Sequence, residues 1–143
     1  MHRIGGFDPA FLCYGFEDRD LALRLEANGI RIQENARAAV SHEDDLHLDG
    51  VCRKMVEAGA GNASLFARRH PDSYRALGYA RCDARHHPSL RWLHAIMEPW
   101  RPHLIRFLSP RLDTLNIPFS IKASAVKMLV AASYLHGSLR ARD

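Results

Sequence analysis

The chain has 143 residues, an apolar content of 47% and a formal net charge of +4. This length and composition fit one packed domain and exclude a disordered tail. Residues 1–50 contain five arginines and ten acids, whereas residues 51–143 contain fifteen cations and six acids. The cations of the second segment occur singly among apolar residues, which favours solvated helix faces and argues against nucleic-acid binding.

The first third of the chain is predicted to form a small α/β element. A loop rich in glycine and aromatic residues comes first. A helix of about three turns is predicted from Glu17, because apolar residues recur at helical spacing, acids cluster in its first turn and Asn28-Gly29 supplies a stop. The alternation in Ile30–Ile32 predicts a short strand, and Ala38–Val40 predicts a second.

The rest of the chain is predicted to be helical. Periodic apolar residues predict helices at 48–58, 62–69, 71–77, 89–108 and 119–139. Pro99 and Pro102 are expected to kink or divide the fourth helix, and Asn62 is expected to cap the second. Core packing is expected for aromatic residues at near-helical spacing, namely Trp92, Trp100, Phe107 and Tyr134. The fold class is therefore an α/β fragment over residues 1–45, followed by an all-helical extension over residues 46–143, mostly α overall.

Three carboxylates, those of Glu17, Asp18 and Asp20, lie in the first turn of the predicted helix. Free backbone N–H groups and the helix dipole favour negative charge there, so a structural role explains them. Catalysis explains them as well, since a carboxylate within hydrogen-bonding reach of a reacting hydroxyl serves as a general base. Both interpretations stay open on the residues alone.

Two further features accompany the acids. The Gly5-Gly6 pair permits positive φ and close approach of a ligand to the backbone, although Gly-Gly-Phe-Asp is also an ordinary turn. His42 follows the second predicted strand, where a histidine serves either as a metal ligand or as a hydrogen-bonding residue. The run from His42 to His47 holds residues that could bind a separate metal ion, but its spacing matches no zinc pattern, so it is interpreted as a solvated acidic loop or a helix start.

A spaced set of motifs carries a resemblance to a known family. The set reads Ile4-Gly5-Gly6-Phe7-Asp8-Pro9, then Gly15-Phe16-Glu17-Asp18-Arg19-Asp20-Leu21, then Ala39-Val40-Ser41-His42. It resembles the acceptor-side, C-terminal segment of GT-A glycosyltransferases of the family-2-like and galactosyltransferase types. In that family a GGFD loop leads into a G-x-E-D-x-D-L helix, and a histidine follows a later strand.

The resemblance implies a role for each matched residue. Asp18 would be the general base of an inverting sugar transfer, and Glu17 is the alternative base. The substrate-binding positions would be Gly5, Gly6, Phe7, Asp8, Gly15 and Asp20. His42 would bind a Mn²⁺ or Mg²⁺ ion that neutralises the leaving nucleoside diphosphate.

The resemblance also implies substrates and partners. The donor would be a nucleotide sugar, and the acceptor a glycan or a lipid-linked sugar of the kind used for bacterial cell-envelope polysaccharide. The donor-binding half of such enzymes ends in an Asp-x-Asp motif, whereas the only such triplet here, Asp18-Arg19-Asp20, belongs to the helix motif. We therefore expect a truncated chain that is inactive without a donor-binding half, with a separate polypeptide or a homo-oligomer as the partner.

Two other functions stay open. One is a non-catalytic carbohydrate-binding or partner-docking module derived from a glycosyltransferase, and the other is a helical scaffold whose acidic helix start is only a cap.

The location is predicted from the cysteines and the apolar stretches. Three widely spaced cysteines form no CxxC pair, the first six residues lack the apolar core of a secretory signal, and the most apolar stretch, 123–135, is interrupted by Lys127. These features predict a cytoplasmic location without a membrane span. The basic and apolar C-terminal helices extend this prediction to peripheral contact with the inner face of the membrane.

Overall fold

The computed structural model describes residues 4–35, 37–39, 41, 47–112 and 114–140. Over these residues the chain forms seven α-helices and one short 3₁₀-helix. The α-helices are α1 (Glu17–Ala27), α2 (Leu48–Ala60), α3 (Asn62–Arg69), α4 (Pro71–Ala76), α5 (Leu90–Met97), α6 (Arg101–Leu108) and α7 (Phe119–Arg140). The 3₁₀-helix, Tyr79–Cys82, follows α4.

The helical predictions are confirmed. α1 begins at Glu17 as expected, and α2, α3, α4 and α7 begin at the predicted residues. The predicted fourth helix of the extension is divided into α5 and α6 on either side of Pro99. Pro102 lies in the first turn of α6, where the N–H that proline lacks has no helical acceptor.

The predicted α/β fold class of residues 1–45 is wrong. Residues 30–35, 38 and 39 have irregular backbone, and Val40 lies outside the described residues. The part of the chain that the structure describes holds helices and no strand. The division into domains at residue 45 stays a prediction.

The end of α1 explains why Ile30–Ile32 is not a strand. Gly29 takes a left-handed conformation with φ of 72°, and the N–H of Ile30 donates to the carbonyl of Leu25 at 3.0 Å. This bond closes the helix end in the manner of a Schellman motif. The Ile30 amide is therefore not available for a strand ladder, and an extended segment is stable only beside other strands.

α2 and α7 approach each other closely at two glycines. A Cβ atom at Gly59 would come within 2.5 Å of the carbonyl oxygen of Tyr134, and one at Gly137 would overlap the carbonyl of Val56. Because neither glycine has a side chain, the two helix backbones can touch.

Two buried clusters lie along this helix pair. The aromatic cluster contains Phe16, Ala58, Ala63, Phe66, Tyr74, Ala80 and Tyr134. The aliphatic cluster contains Leu48, Cys52, Ile105 and Leu129. Since each cluster takes residues from both α2 and α7, the pair joins the whole core.

A buried polar network completes the aromatic cluster. The hydroxyl of Tyr74 donates to Asp83 Oδ2 at 2.6 Å and is paired with the hydroxyl of Tyr134. Arg85 binds the same carboxylate at 2.7 Å. Burial alone raises the pKa of Asp83, but the bonds from Arg85 and Tyr74 outweigh it, so the pKa lies below its usual range. The carboxylate therefore stays charged inside the core.

The expected core packing of the aromatic residues is confirmed only for Tyr134. Trp92, Trp100 and Phe107 have 78%, 67% and 54% of their surface exposed. Their spacing places them on helix faces that no described element covers. Among the described residues, no helix has the length and apolar character needed to cross a bilayer.

The close approach of α2 and α7 yields a stability prediction. Gly137→Ala is expected to lower the free energy of unfolding by about 1–3 kcal/mol, because the added methyl group forces the helices apart. The sign is opposite to helix propensity, which favours alanine by about 1 kcal/mol. Chemical denaturation measures the change. Ser124→Ala on an exposed position of the same helix is the control, with an expected change within about 0.5 kcal/mol, and equal stability of the Gly137 variant and wild type would contradict the prediction.

Candidate functional site

A cleft of about 650 Å³ opens at the start of α1. Its lining includes Phe7, Tyr14, Gly15, Phe16, Glu17, Asp18, Arg19, Met55, Ala58, Leu77 and Tyr79. Four of the predicted site residues, namely Phe7, Gly15, Glu17 and Asp18, therefore share one cleft. Apolar and aromatic side chains from α2 and from the segment after α4 belong to the same lining.

The turn into α1 is held by the aromatic cluster. Gly15 and Phe16 both have left-handed backbone, with φ of 91° and 74°. Phe16 is the one described residue other than glycine with positive φ, a conformation that costs about 1–2 kcal/mol. Its ring is buried, with its centroid 4.9 Å from the centroids of both Phe66 and Tyr79. Burial of the ring offsets the backbone strain and fixes the position of Glu17, the next residue.

The segment before this turn is tied to α2 and α3 by the side chains of Glu57 and Asn62, a role that the sequence did not predict. The buried amide of Asn62 donates to the carbonyls of Cys13 and Gly15, the latter at 2.9 Å. The carboxylate of Glu57 accepts from the N–H of Tyr14 at 2.9 Å. The N-cap of α3 is Gly61, and Asn62 is the first helical residue, so the predicted role of Asn62 as an N-cap is wrong. A polar residue at a helix start fits both roles, and only the tertiary contact separates them.

Glu17 and Asp18 occupy different environments in the cleft. Asp18 is exposed, and its Oδ1 accepts from the N–H of Arg19 at 2.7 Å. Glu17 is half-buried, and its buried Oε2 has no hydrogen-bond partner among the described residues. A buried polar atom without a partner is unusual in a folded protein.

Asp20 lies beneath the cleft rather than in it. Its side chain is buried, accepts from Arg24 Nε at 2.7 Å and lies 2.9 Å from His70 Nε2. Arg69 approaches the same carboxylate at 3.8 Å. These contacts engage both oxygens of Asp20 with groups of the protein itself.

Arg24 connects Asp20 to the glycine loop. Its guanidinium donates to the carbonyl of Ile4 at 2.8 Å and to that of Gly6 at 2.7 Å. Gly5 and Gly6 have φ of 80° and 73°, so the positive φ expected at both residues is confirmed. A Cβ atom at either glycine would meet nothing within 4 Å, which makes backbone conformation the reason for glycine there.

Asp8 is held by the protein as well. Its Oδ1 accepts from the N–H of Ala10 at 2.8 Å, and its Oδ2 accepts from Arg69 at 2.6 Å. The bond from Ala10, followed by that from Arg69, lowers the pKa of Asp8 below its usual range. Gly5, Gly6, Asp8 and Asp20 thus form a support beside the cleft.

The predicted metal ligand, His42, lies outside the described residues, as do residues 43–46. Among the residues that the structure does describe, no group of three histidine, cysteine or carboxylate ligands gathers at the cleft. Glu17 and Asp18 alone do not make a metal site. The role of His42 therefore stays a prediction.

A second cavity, of about 570 Å³, lies between α2 and α6. Asp49 is the acid in its lining, and its Oδ1 accepts from Ser109 Oγ at 2.7 Å. Arg53, Arg101 and Arg106 give this cavity a cationic lining. Since its acid is already engaged, the α1 cleft is the better candidate for carboxylate chemistry.

Comparison with known proteins gives a match to a family over the first third of the chain. Residues 1–45 match the family described as the N-terminal domain of galactosyltransferase. This segment contains all the predicted site residues and is related to a galactosyltransferase domain. The description does not support a C-terminal placement, the GT-A fold or family 2. No curated protein and no solved structure matches the chain.

The contacts of Asp20 yield a prediction about the glycine loop. Asp20→Asn is expected to lower the free energy of unfolding by about 1.5–3 kcal/mol, the range for hydrogen bonds to charged groups, because Arg24 and His70 lose their charged partner. Chemical denaturation measures this loss. Amide exchange at Gly5 and Gly6 is expected to accelerate, because Arg24 anchors the loop through Asp20.

Asp72→Asn is the matched control for this experiment. The ion pair of Asp72 with Arg75 is exposed, so its loss should change stability by less than about 1 kcal/mol. Unaltered exchange of the glycine loop in Asp20→Asn would contradict the anchoring role of Arg24.

Proposed function

We propose that the α1 cleft is the acceptor site of a sugar transferase and that its carboxylates deprotonate the acceptor. The observation that carries this proposal is the pair of adjacent carboxylates in the cleft, Asp18 exposed at the mouth and Glu17 with a buried, unpartnered oxygen. Rotation of the Glu17 side chain toward the cleft would let this oxygen accept a hydrogen bond from a sugar hydroxyl. The relation of residues 1–45 to a galactosyltransferase domain supports the same substrate class.

The proposed reaction is an inverting transfer from a nucleotide sugar to a glycan or lipid-linked acceptor. The acceptor oxygen attacks the anomeric carbon, the bond from that carbon to the diphosphate breaks, and the hydroxyl proton passes to a carboxylate. Asp18 is the proposed base, because it is reachable from solvent at the cleft mouth. Glu17 then holds a second hydroxyl and orients the acceptor, and it is the alternative base.

The apolar wall of the cleft suits this substrate class. Sugar rings present C–H faces that pack on aromatic side chains, and Tyr14 and Tyr79 line the same cleft as the acids. Lys54 lies 5.4 Å from the ring centre of Tyr14. The cleft thus combines apolar packing with a few polar groups that fix orientation.

Donor binding involves groups beyond those described at the cleft. His42 with Mn²⁺ or Mg²⁺ is proposed to neutralise the leaving diphosphate, which is the chemistry that such an ion supplies. A separate donor-binding polypeptide or a second copy of the chain is the proposed partner for the remaining donor contacts.

A second candidate is a carbohydrate-binding or partner-docking module without catalysis. It uses the same cleft and is favoured by the extent to which Asp8 and Asp20 are committed to holding the loop. The two candidates differ in what Asp18 does. In the module Asp18 is dispensable for sugar binding, whereas in the transferase it contacts the reacting hydroxyl.

Substitution of the two carboxylates tests the proposal. Asp18→Asn and Glu17→Gln are each expected to weaken glycan binding about tenfold or more, since tenfold corresponds to about 1.4 kcal/mol and a bond to a charged group is worth at least that. Binding is measured by saturation-transfer NMR with a panel of galactosides, glucosides and N-acetylglucosaminides. Glu26→Gln, an exposed acid in the last turn of the same helix, is the control and should bind like wild type.

The outcomes separate the candidates. Binding that Asp18→Asn leaves unchanged would favour the module, and no binding of any glycan by wild type would count against both.

The same samples are assayed for release of UDP from UDP-galactose. The isolated chain is expected to release none, and steady release abolished by Asp18→Asn would overturn that expectation while supporting the base.

We also propose that α5 and α6 contact an anionic membrane surface, where a lipid-linked acceptor resides. Trp92, Ile96 and Trp100 are exposed on this part of the chain, and Phe107 extends it along α6. Tryptophan is favoured at membrane interfaces, where its ring is apolar and its N–H is solvated.

The charge of this segment suits anionic lipid. Residues 87–112 contain four arginines and a single acid, Glu98, and Arg101 pairs with that acid at 2.8 Å. Each basic residue near an anionic membrane contributes about 1 kcal/mol. The segment therefore offers both apolar anchors and a net positive charge.

Co-sedimentation with vesicles tests this contact. The protein is expected to pellet with vesicles of equal parts phosphatidylglycerol and phosphatidylcholine, and less with phosphatidylcholine alone. The double variant Trp92→Ala, Trp100→Ala should lose at least tenfold in affinity for these vesicles. The control is Leu12→Ala, which changes an exposed apolar residue far from α5 and α6 in the sequence and should bind like wild type. Protein that stays in the supernatant with anionic vesicles would contradict the proposal.

A further inference from the structure

Three ligand-bearing side chains converge where α5 meets α7. His94 belongs to α5, Glu98 follows the last turn of α5, and His136 belongs to α7. The atoms His94 Nε2 and His136 Nδ1 lie 3.0 Å apart. Glu98 Oε2 lies 3.4 Å from the first nitrogen and 3.1 Å from the second. None of the three residues lines the α1 cleft.

The atoms His94 Nε2, His136 Nδ1 and Glu98 Oε2 form a triangle of ligand atoms, and hydrogen bonds among them do not account for all three contacts. With both rings neutral and one proton between the nitrogens, that proton serves two of the three contacts at most. With a proton on each nitrogen, two N–H groups face each other at 3.0 Å. A cation at the centre would engage both nitrogen lone pairs together with the second lone pair of Glu98 Oε2, whose other partner is Arg101 Nε.

The dimensions fit a tetrahedral zinc ion. Zinc binds imidazole nitrogen and carboxylate oxygen at about 2.1 Å, so two ligand atoms in tetrahedral geometry lie about 3.4 Å apart. The three observed separations of 3.0, 3.1 and 3.4 Å need a change of a few tenths of an ångström at most. The spacing of four residues between His94 and Glu98 places both on one side of the α5 axis.

The neighbours of the triangle favour zinc over hard cations. Arg101 donates to Glu98 through Nε at 2.8 Å and through Nη2 at 2.9 Å. This bidentate contact fixes the position of the carboxylate. The positive charge of the Arg101 guanidinium offsets the negative charge of Glu98, which disfavours a cation that binds through carboxylate charge alone. Two imidazoles and one carboxylate are ligands that suit zinc, whereas magnesium and calcium prefer oxygen throughout.

We propose that His94, Glu98 and His136 form a zinc site with three protein ligands and an open fourth position. The ion would join α5 to α7 at the end of the molecule that carries Trp92 and Trp100, and would bind separately from any ion held at His42. Because binding requires the folded arrangement of two helices, zinc would stabilise the fold.

Zinc titration of tag-free, chelator-treated protein tests the site. We expect one zinc ion per chain, detected by competition with a chromophoric chelator, and a rise of several degrees in Tm. Magnesium at the same concentrations should do neither. Cobalt should give the visible absorption of a tetrahedral complex, which reports the ligand geometry directly.

Variants locate the ion. His94→Ala, Glu98→Gln and His136→Ala should each weaken zinc binding at least tenfold and remove the zinc-dependent rise in Tm. His87→Ala and His103→Ala, exposed histidines on the neighbouring segments, are matched controls that should bind like wild type. Circular dichroism of every metal-free variant excludes loss of the fold as the cause.

Two results would overturn the proposal. The first is wild-type protein that binds no zinc, or binds it without a tetrahedral cobalt spectrum. The second is a folded His94→Ala, His136→Ala double variant that keeps the affinity and stoichiometry of wild type, which would place the ion elsewhere.

Discussion

The contact between the backbones of α2 and α7 is the constraint on which the rest of the structure depends. Gly59 and Gly137 bring the two helices so close that a methyl group at either position meets main-chain atoms. Residues of both helices then enter the aromatic cluster on one side and the aliphatic cluster on the other. The cleft is built on the aromatic cluster through Phe16, and the histidine pair takes its position from His136, the neighbour of Gly137. Both proposed sites therefore depend on this one helix pair.

The three acids at the start of α1 divide between structure and chemistry. Asp20 is buried, balances the charge of Arg24 and contacts His70, so it serves the fold. Asp18 and Glu17 line the cleft, and Asp18 is exposed while Glu17 has a buried oxygen without a hydrogen-bond partner among the described residues. A helix start favours negative charge at all three positions. The structural explanation and the proposed catalytic one therefore apply to different members of the same cluster.

The sequence predicted what depends on local periodicity and missed what depends on contacts between elements. Helix starts and the division at Pro99 follow from spacing and proline geometry. The strand expected at Ile30–Ile32 failed because alternation over three residues cannot report whether a pairing partner exists. Spacing likewise placed Trp92 and Trp100 on a helix face without showing that nothing covers it. The contact of Asn62 with the segment before α1 and the pairing of His94 with His136 leave no local signal, because the partners lie 49 and 42 residues apart in the chain.

The left-handed backbone of Phe16 has an evolutionary consequence. The ring is held between Phe66 and Tyr79, and the next residue along the chain carries the half-buried carboxylate. A substitution that repacks this core, even one that raises thermal stability, also rotates the turn and displaces Glu17. Selection for a firmer core and selection for carboxylate position thus act on the same few side chains. We therefore expect that some substitutions in this core still allow folding but are rejected because they change the shape of the cleft.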